Sequence, residues 1–328
     1  MTEKIRWGIL STANIGRKRV VPAMQASAHG IVTAVASRNI DAAREYTDEL
    51  GIATAYGSYE ELLADPNIDA IYNPLPNSLH AEWSIQCAEA GKPTLCEKPL
   101  ASDAAEAQMM VDAFAERSVL FAEAFMYRFH PQTVQVKQML DDGAIGDLLA
   151  VEASFSFRLT REDNIRLSAE LAGGALMDVG CYCVNVTRLM TGAEPVTGHA
   201  VAHFGATSGV DEVLAGVLKF ESGIVGHFDC SLRGQHNHRY HLRGTHGKIT
   251  VEEAFVMSPD RATFIRWWQA GPDGDTYREI TVPPANSYTL MADDFALALI
   301  DGRPPRYAPQ DGVENMRVID MLLQSARA

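Results

Sequence analysis

From Ile5 to Ala122 the chain alternates short apolar runs with amphipathic stretches, and few folds accept that rhythm. Ile5–Leu10, Val32–Ala36, Asp69–Asn73, Pro93–Cys96 and Val119–Ala122 read as strands; Ile15–Ala26, Ile40–Leu50, Tyr59–Leu63, Leu79–Ala90 and Asp103–Glu116 read as helices. Gly51 and Gly91 follow two of those helices, where a left-handed terminal residue is favoured. Strands separated by helices over short connections run parallel, and a parallel sheet has to be covered on both faces. A doubly wound parallel α/β sheet is the expectation for this part of the chain.

Past about residue 145 the texture changes. Leu148–Phe157, Thr197–Phe204, Val213–Phe220, Ile224–Ser231, Tyr240–Gly244 and Lys248–Val251 read as strands joined by glycine-containing turns, the pattern of a mainly antiparallel sheet. At 328 residues the chain exceeds the usual single core, so two domains are expected, 1–124 and 125–328. The tail reads as two helices, Tyr288–Ile300 and Gly312–Ala328, broken at Gly302-Arg303-Pro304-Pro305.

Charge narrows the choice of partner. The chain carries 28 basic and 42 acidic residues, a net charge of −14, which repels a phosphate backbone and argues against nucleic acid. No apolar run reaches the roughly 18 to 20 residues that span a bilayer, which argues against a membrane partner. Five cysteines without disulfide-like spacing, and a start without the apolar core of a signal peptide, lead to the expectation of a cytoplasmic protein. Cys181 and Cys183 lie two apart on a predicted helix and face away from each other; no other cysteine or histidine completes a site, so no metal is expected.

The first strand turns into the first helix through Ser11-Thr12-Ala13-Asn14-Ile15-Gly16. A dinucleotide fold needs small residues there, so that backbone N–H groups can approach a pyrophosphate at the helix N-terminus. Aligned on Gly16, the first two glycines of the G-x-G-x-x-G fingerprint are replaced by Ser11 and Ala13, and the same turn also serves α/β proteins that bind no nucleotide. An NAD enzyme places an acid at the end of the second strand; here stands Ser37-Arg38-Asn39. Arginine suits a 2′-phosphate, so NADP is favoured over NAD.

The stretch Thr94-Leu95-Cys96-Glu97-Lys98-Pro99-Leu100 puts two charges at the carboxyl end of a strand, where ligands of open α/β sheets lie. A lysine there can donate to a substrate oxygen and stabilise charge developing on it, although an ion pair after an ordinary strand is also common. Downstream, Asp178, Tyr182 and Asn185 project from one face if Asp178–Met190 is helical. A free tyrosine titrates near about pH 10, and a neighbouring ammonium favours the phenolate. Lys98, Asp178 and Tyr182 therefore make a candidate proton-transfer set. The histidine-rich run 236–241 alternates as a strand, and at most one of its faces can border a substrate.

The combination of the Trp7-Gly8-Ile9-Leu10 turn, Pro76-Asn77-x-x-His80, Glu97-Lys98-Pro99, Glu123 to Pro131 and Gly173-Gly174-Ala175-Leu176-Met177-Asp178-x-Gly180-x-Tyr182 resembles the glucose-fructose oxidoreductase and inositol dehydrogenase (Gfo/Idh/MocA) family. It is most similar to the branch containing dimeric dihydrodiol dehydrogenase and NADP-dependent D-xylose 1-dehydrogenase. The resemblance implies a Rossmann domain followed by an α+β domain on a large antiparallel sheet. It also implies hydride transfer between a sugar or polyol hydroxyl and NADP, with Tyr182 as general acid/base and Lys98 and Asp178 assisting. Ser11 to Ile15, Ser37, Arg38, Pro76, Asn77, His80, Glu97, Lys98 and Arg166 fall at cofactor-side positions, Ile165 standing where the family commonly has tryptophan. Lys98, Arg128, Asp178 and Tyr182 fall on the substrate side, with His130 beside them. A homodimer or a dimer of dimers is implied by the exposed sheet face usual in such folds. An enzyme that never releases its NADP, or a non-catalytic sugar or nucleotide sensor, are the competing expectations.

Overall fold

The computed structural model describes residues 4–272 and 274–328. Two units make up the chain. The first comprises the residues up to Met126 together with Tyr288–Val313, and the second Tyr127–Ser287 with Glu314–Ala328.

In the first unit six strands, β1 (Ile5–Leu10), β2 (Gly30–Ala36), β3 (Thr54–Tyr56), β4 (Ala70–Asn73), β5 (Thr94–Cys96) and β6 (Phe121–Glu123), lie in the order β3-β2-β1-β4-β5-β6. Every pairing is parallel. The crossovers are α1 (Val21–Gln25, continuing a π-helical turn at Gly16–Val20), α2 (Ile40–Leu50), α3 (Tyr59–Ala64), α4 (His80–Glu89) and α5 (Ala104–Glu116). Asn39, Ser58 and Asp103 cap α2, α3 and α5 by accepting backbone N–H bonds, as short polar residues do at helix starts. Strands β1 and β4 are almost wholly buried, as expected of a sheet covered on both faces.

The second unit holds β7 (Leu148–Arg158), β8 (Pro195–Phe204), β9 (Asp211–Phe220), β10 (Val225–Ser231), β11 (Arg233–Gly244), β12 (Gly247–Val251), β13 (Thr263–Gln269) and β14 (Thr276–Val282). Their order is β14-β13-β12-β11-β7-β10-β9-β8, antiparallel throughout except for β10 against β7. Alternation is clearest in β9, where Leu214, Gly216, Leu218 and Phe220 are buried and Val213, Ala215, Val217 and Lys219 are exposed. The buried face carries α6 (Pro131–Asp141) and α7 (Cys181–Thr191), the latter entered through a π-helical turn at Leu176–Gly180.

The division into units differs from the sequence expectation in two respects. The division falls at Met126 rather than residue 124, and the tail does not stay with the second unit. Helix α8 (Ser287–Asp301) returns to the first, where Phe295 packs on Trp7 with ring centroids 5.2 Å apart and Thr289 Oγ1 donates to the Ala23 carbonyl at 3.1 Å. The last helix, α9 (Pro309–Arg327), is crossed by the division between Val313 and Glu314. Among the described residues no helix is long and apolar enough to cross a membrane.

The start of α7 depends on Asp211, the first residue of β9. Its Oδ2 accepts the Leu176 N–H at 2.7 Å, supplying a partner that the first turn of a helix lacks. Burial nevertheless raises the Asp211 carboxyl to about 6. The folded chain thus holds this proton more tightly than the unfolded chain, whose aspartates titrate near ~3.9. The stabilisation is present below the unfolded value and is lost as pH rises through 6. Asp211→Asn, which keeps an oxygen for the Leu176 N–H, should exceed wild type in stability at neutral pH by about 2 kcal/mol. Urea unfolding from pH 7 to pH 4 should show that advantage narrowing.

Candidate functional site

In the first unit the candidate residues gather at the carboxyl ends of β1, β2, β4 and β5, at the position where the strand order reverses between β1 and β4. Ser11 leaves β1 with φ 80°, the left-handed conformation that the fingerprint normally assigns to glycine. Its N–H donates to the Ala36 carbonyl at 2.9 Å and its Oγ accepts from the Ala13 N–H at 3.3 Å. The helix then starts at Asn14, and Thr12 to Ile15 stay at least partly exposed. First-turn N–H groups without an intrahelical partner thus meet solvent there, the donor set that a pyrophosphate takes. Gly16 allows the approach of Tyr46 beneath the turn; a Cβ there would stand 2.7 Å from the Tyr46 hydroxyl.

Beyond β2, Ser37 Oγ accepts the Asn39 N–H at 3.2 Å, and Arg38 is exposed with its guanidinium beside the Tyr59 phenol. A cation at the surface next to the pyrophosphate turn fits a 2′-phosphate rather than two neutral ribose hydroxyls. These residues fit NADP.

At the end of β4, buried Asn73 shapes the loop that leads to Pro76 and Asn77, its Oδ1 accepting the Leu75 N–H at 3.2 Å and its Nδ2 donating to Ser84 Oγ at 3.0 Å. His80, expected on the cofactor side, turns its ring inward. Its ring is fully buried, with Nδ1 3.0 Å from the Pro99 carbonyl and Nε2 2.8 Å from the Leu75 carbonyl. Burial lowers its pKa to about 4, so the ring is neutral and its single N–H donates to one of the two carbonyls, the tautomer deciding which, while the ring packs between the loop after β4 and the loop after β5. Glu97, unexplained by sequence, accepts from the buried Tyr72 hydroxyl at 2.7 Å through Oε1. Lys98, half-buried, follows directly, and its peptide bond to Pro99 is cis.

In the second unit, Asp178 Oδ2 accepts from Arg166 Nε at 2.6 Å. Gly173 makes that approach feasible, since a Cβ there would lie 2.4 Å from the Arg166 carbonyl oxygen; Gly174 takes φ 122° where the chain passes Asp211. Asp178 lies within the π-helical turn and Tyr182 in α7, so their spacing departs from a regular α-helix. The Tyr182 ring is enclosed by Phe155, Phe255 and Tyr127, with centroids 5.4, 5.4 and 5.8 Å away. Tyr127 in turn donates its hydroxyl to Asn185 Oδ1 at 2.6 Å. Of these neighbours Tyr127 lies in the Glu123 to Pro131 motif, whereas Phe155 and Phe255 were not singled out in the sequence; only the alternation of Phe155 in a predicted strand hinted that it faces the core.

The two other substrate-side candidates, His130 and Arg128, are both buried. His130 is fully buried and caps α6, its Nδ1 accepting the Gln132 N–H at 3.2 Å, and burial lowers its pKa to about 4. Arg128 is likewise buried, at 3% exposure, rather than displayed on a loop surface. The five cysteines are all buried and form no disulfide, with burial pushing the Cys183 and Cys230 thiols well up. Among the described residues no group of three acidic, histidine or cysteine side chains is arranged to hold a metal.

Residues 5–125 match the oxidoreductase family model with an NAD-binding Rossmann fold, and residues 133–250 match the GFO/IDH/MocA C-terminal domain. The chain is 41% identical over 321 residues to a D-xylose 1-dehydrogenase (NADP(+)) of Haloferax volcanii, covering 98% of this chain and 97% of that one. It is 34% identical over 255 residues to a trans-1,2-dihydrobenzene-1,2-diol dehydrogenase of Mus musculus, covering 77% and 76%. A 3-ketoreductase of Actinomadura kijaniata, solved with NADP and TDP-benzene, superposes with a TM-score of 0.92 at 30% identity over 98% of both chains. With the doubly wound sheet, the mainly antiparallel second sheet and both family models matching in order, the chain belongs to the Gfo/Idh/MocA family of oxidoreductases.

Proposed function

We propose that the protein is an NADP-dependent dehydrogenase that oxidises a hydroxyl of a free sugar, polyol or cyclic diol. The observation that carries this reading is Tyr182, a phenol held within three aromatic rings on a helix whose entry turn bears the Asp178–Arg166 ion pair. Aromatic faces suit the C–H face of a sugar ring, and a rigid phenol suits proton transfer. The similarity to a D-xylose 1-dehydrogenase and to a dihydrodiol dehydrogenase supports the substrate class.

When bound, the nicotinamide supplies the hydride acceptor. The amides of Thr12, Asn14 and Ile15 would hold the pyrophosphate, and Arg38 the 2′-phosphate. Pro76 and Asn77 line the loop after β4, which His80 braces from below. Glu97, fixed by Tyr72, sets the backbone from which Lys98 leaves the sheet. Tyr182 takes the proton of the reacting hydroxyl, and Lys98 stabilises the negative charge that develops on its oxygen. The Asp178–Arg166 pair orients the entry turn of α7.

We further propose a homodimer, or a dimer of dimers, joined through the outer face of the large sheet. Val201, Val213, Val217 and Val225 are 40 to 73% exposed there on three neighbouring strands, more apolar surface than a free face needs. NADP and a small free sugar, as reactants, fit the cytoplasm.

Aldoses, polyols and dihydrodiols assayed with NADP+ and NAD+ by absorbance of the reduced nicotinamide test the reading. Tyr182→Phe should lower kcat by about 100-fold or more while NADP+ binding stays unchanged; a loss under about threefold overturns the assignment. Arg38→Ala should lower kcat/KM for NADP+ by about 10- to 100-fold and leave NAD+ turnover nearly unchanged. Sedimentation should show a dimer at micromolar concentration, and Val217→Asp should shift it towards monomer.

A further inference from the structure

An aromatic enclosure gives a sugar apolar contact but no choice among its hydroxyl groups; that choice takes directional donors and acceptors. The second unit carries one beside Tyr182, on the histidine-rich strand of which at most one face was expected to border a substrate. In β11, His238 stands directly opposite Phe155 of β7, on the same face, with ring centroids 5.7 Å apart. Phe155 is the ring that also abuts Tyr182 at 5.4 Å. His238 therefore flanks the enclosure from the side of the sheet.

Its proton is placed by the backbone. The Phe255 N–H donates to His238 Nδ1 at 3.2 Å, so Nδ1 is the unprotonated nitrogen and the ring hydrogen sits on Nε2. Burial, together with neighbouring His236, lowers the pKa to about 4, so the ring stays neutral at working pH. Nε2 is not among the polar atoms buried without a partner, and no acceptor for it exists among the described residues. The 6% of His238 that reaches solvent therefore includes this N–H.

We infer that His238 is a substrate-orienting residue, whose Nε2–H donates to a non-reacting hydroxyl or ring oxygen of the sugar or polyol while the reacting hydroxyl meets Tyr182. The inference rests on the dehydrogenase reading above and adds a determinant of which substrate oxygen is presented. A donor that cannot turn into an acceptor, because Nδ1 is already committed, accepts an oxygen at that place and penalises an analogue that lacks it.

The test uses the full chain with NADP+ and a panel of D-xylose, D-glucose, L-arabinose and the monodeoxy xyloses. His238→Asn keeps an oxygen for the Phe255 N–H but withdraws the donor from the Nε2 position. It should raise KM for the preferred sugar by about 10- to 100-fold while kcat changes much less. NADP+ affinity and the unfolding midpoint should stay near wild type. His238→Gln, whose amide reaches the Nε2 position, should recover part of the loss. With the deoxy sugar lacking the partner oxygen, the ratio of wild type to His238→Asn should collapse towards one. His238→Leu, which also takes the acceptor from the Phe255 N–H, gives a second and more disruptive comparison should the asparagine variant fail to fold. Unchanged KM on every sugar that wild type oxidises, or an equal penalty with all deoxy sugars, overturns the assignment while leaving the dehydrogenase reading intact. A wild-type chain that oxidises nothing in the panel overturns both.

Discussion

The reversal of strand order between β1 and β4 governs what the first unit can present to a ligand. Crossovers leave these two neighbouring strands in opposite directions, so no helix can cover the crevice at their carboxyl ends. All six strands point their carboxyl ends the same way. The loops after β1, β2, β4 and β5 therefore gather there whatever their sequences, and selection among side chains acts only on what those loops carry. Ser11, Arg38, Asn77 and Lys98 reach one edge of the sheet for this single topological reason.

What those loops require is stiffness, which buried polar groups supply. A buried hydroxyl, amide or imidazole left without a partner costs about 1 to 3 kcal/mol, so each such group restricts its neighbours to the arrangement that satisfies it. Asn73 fixes the start of the loop after β4, His80 joins that loop to the Pro99 carbonyl, and Tyr72 holds Glu97. Asp211 plays the equivalent part in the second unit by accepting the Leu176 N–H ahead of α7. Here the favourable bond and the cost of burying a carboxylate oppose each other, and the raised pKa shows that burial outweighs it.

Much of this was legible in the sequence because burial imposes a period. Five of the six strands of the first sheet read as apolar runs, the three-residue β3 being the exception, and β7 to β12 read by alternation and turn glycines. Strands β13 and β14 did not; in β14 six of the seven residues are not buried and the pattern carries no apolar face. Helix α6 was hidden for another reason: its cap is His130 rather than the usual short polar residue, although Pro131 at the first position is a favoured start. The return of α8 to the first unit depends on Phe295 meeting Trp7, a contact between residues far apart in the chain that no local pattern encodes. Motif positions identified candidate residues but not their exposure. That is why His80 and His130, both fully buried, read as ligand contacts, and why Glu97 had no role until Tyr72 was seen beside it.

Strand β11 shows how one short segment can serve two environments at once. His238, Tyr240 and Leu242 point to the buried face, whereas Arg239, His241 and Arg243 point to the other. On that outer face Arg243 Nη2 donates to Glu152 Oε2 at 2.8 Å, and His241 Nδ1 lies 3.0 Å from Thr250 Oγ1. Because the side-chain period is two, a slip of one residue would carry the arginines into the aromatic enclosure and leave Tyr240 in water. The pairing with β7 is irregular between Arg233 and Asn237 but continuous from Asn237 to Arg243. With a second shift between Arg243 and Gly244, the irregularities lie at the two ends of the strand, and the stretch that must keep Phe155 opposite His238 is held in a single register. Desolvating the exposed Arg243 would cost several kcal/mol, so the charge on the outer face itself keeps the inner face in place.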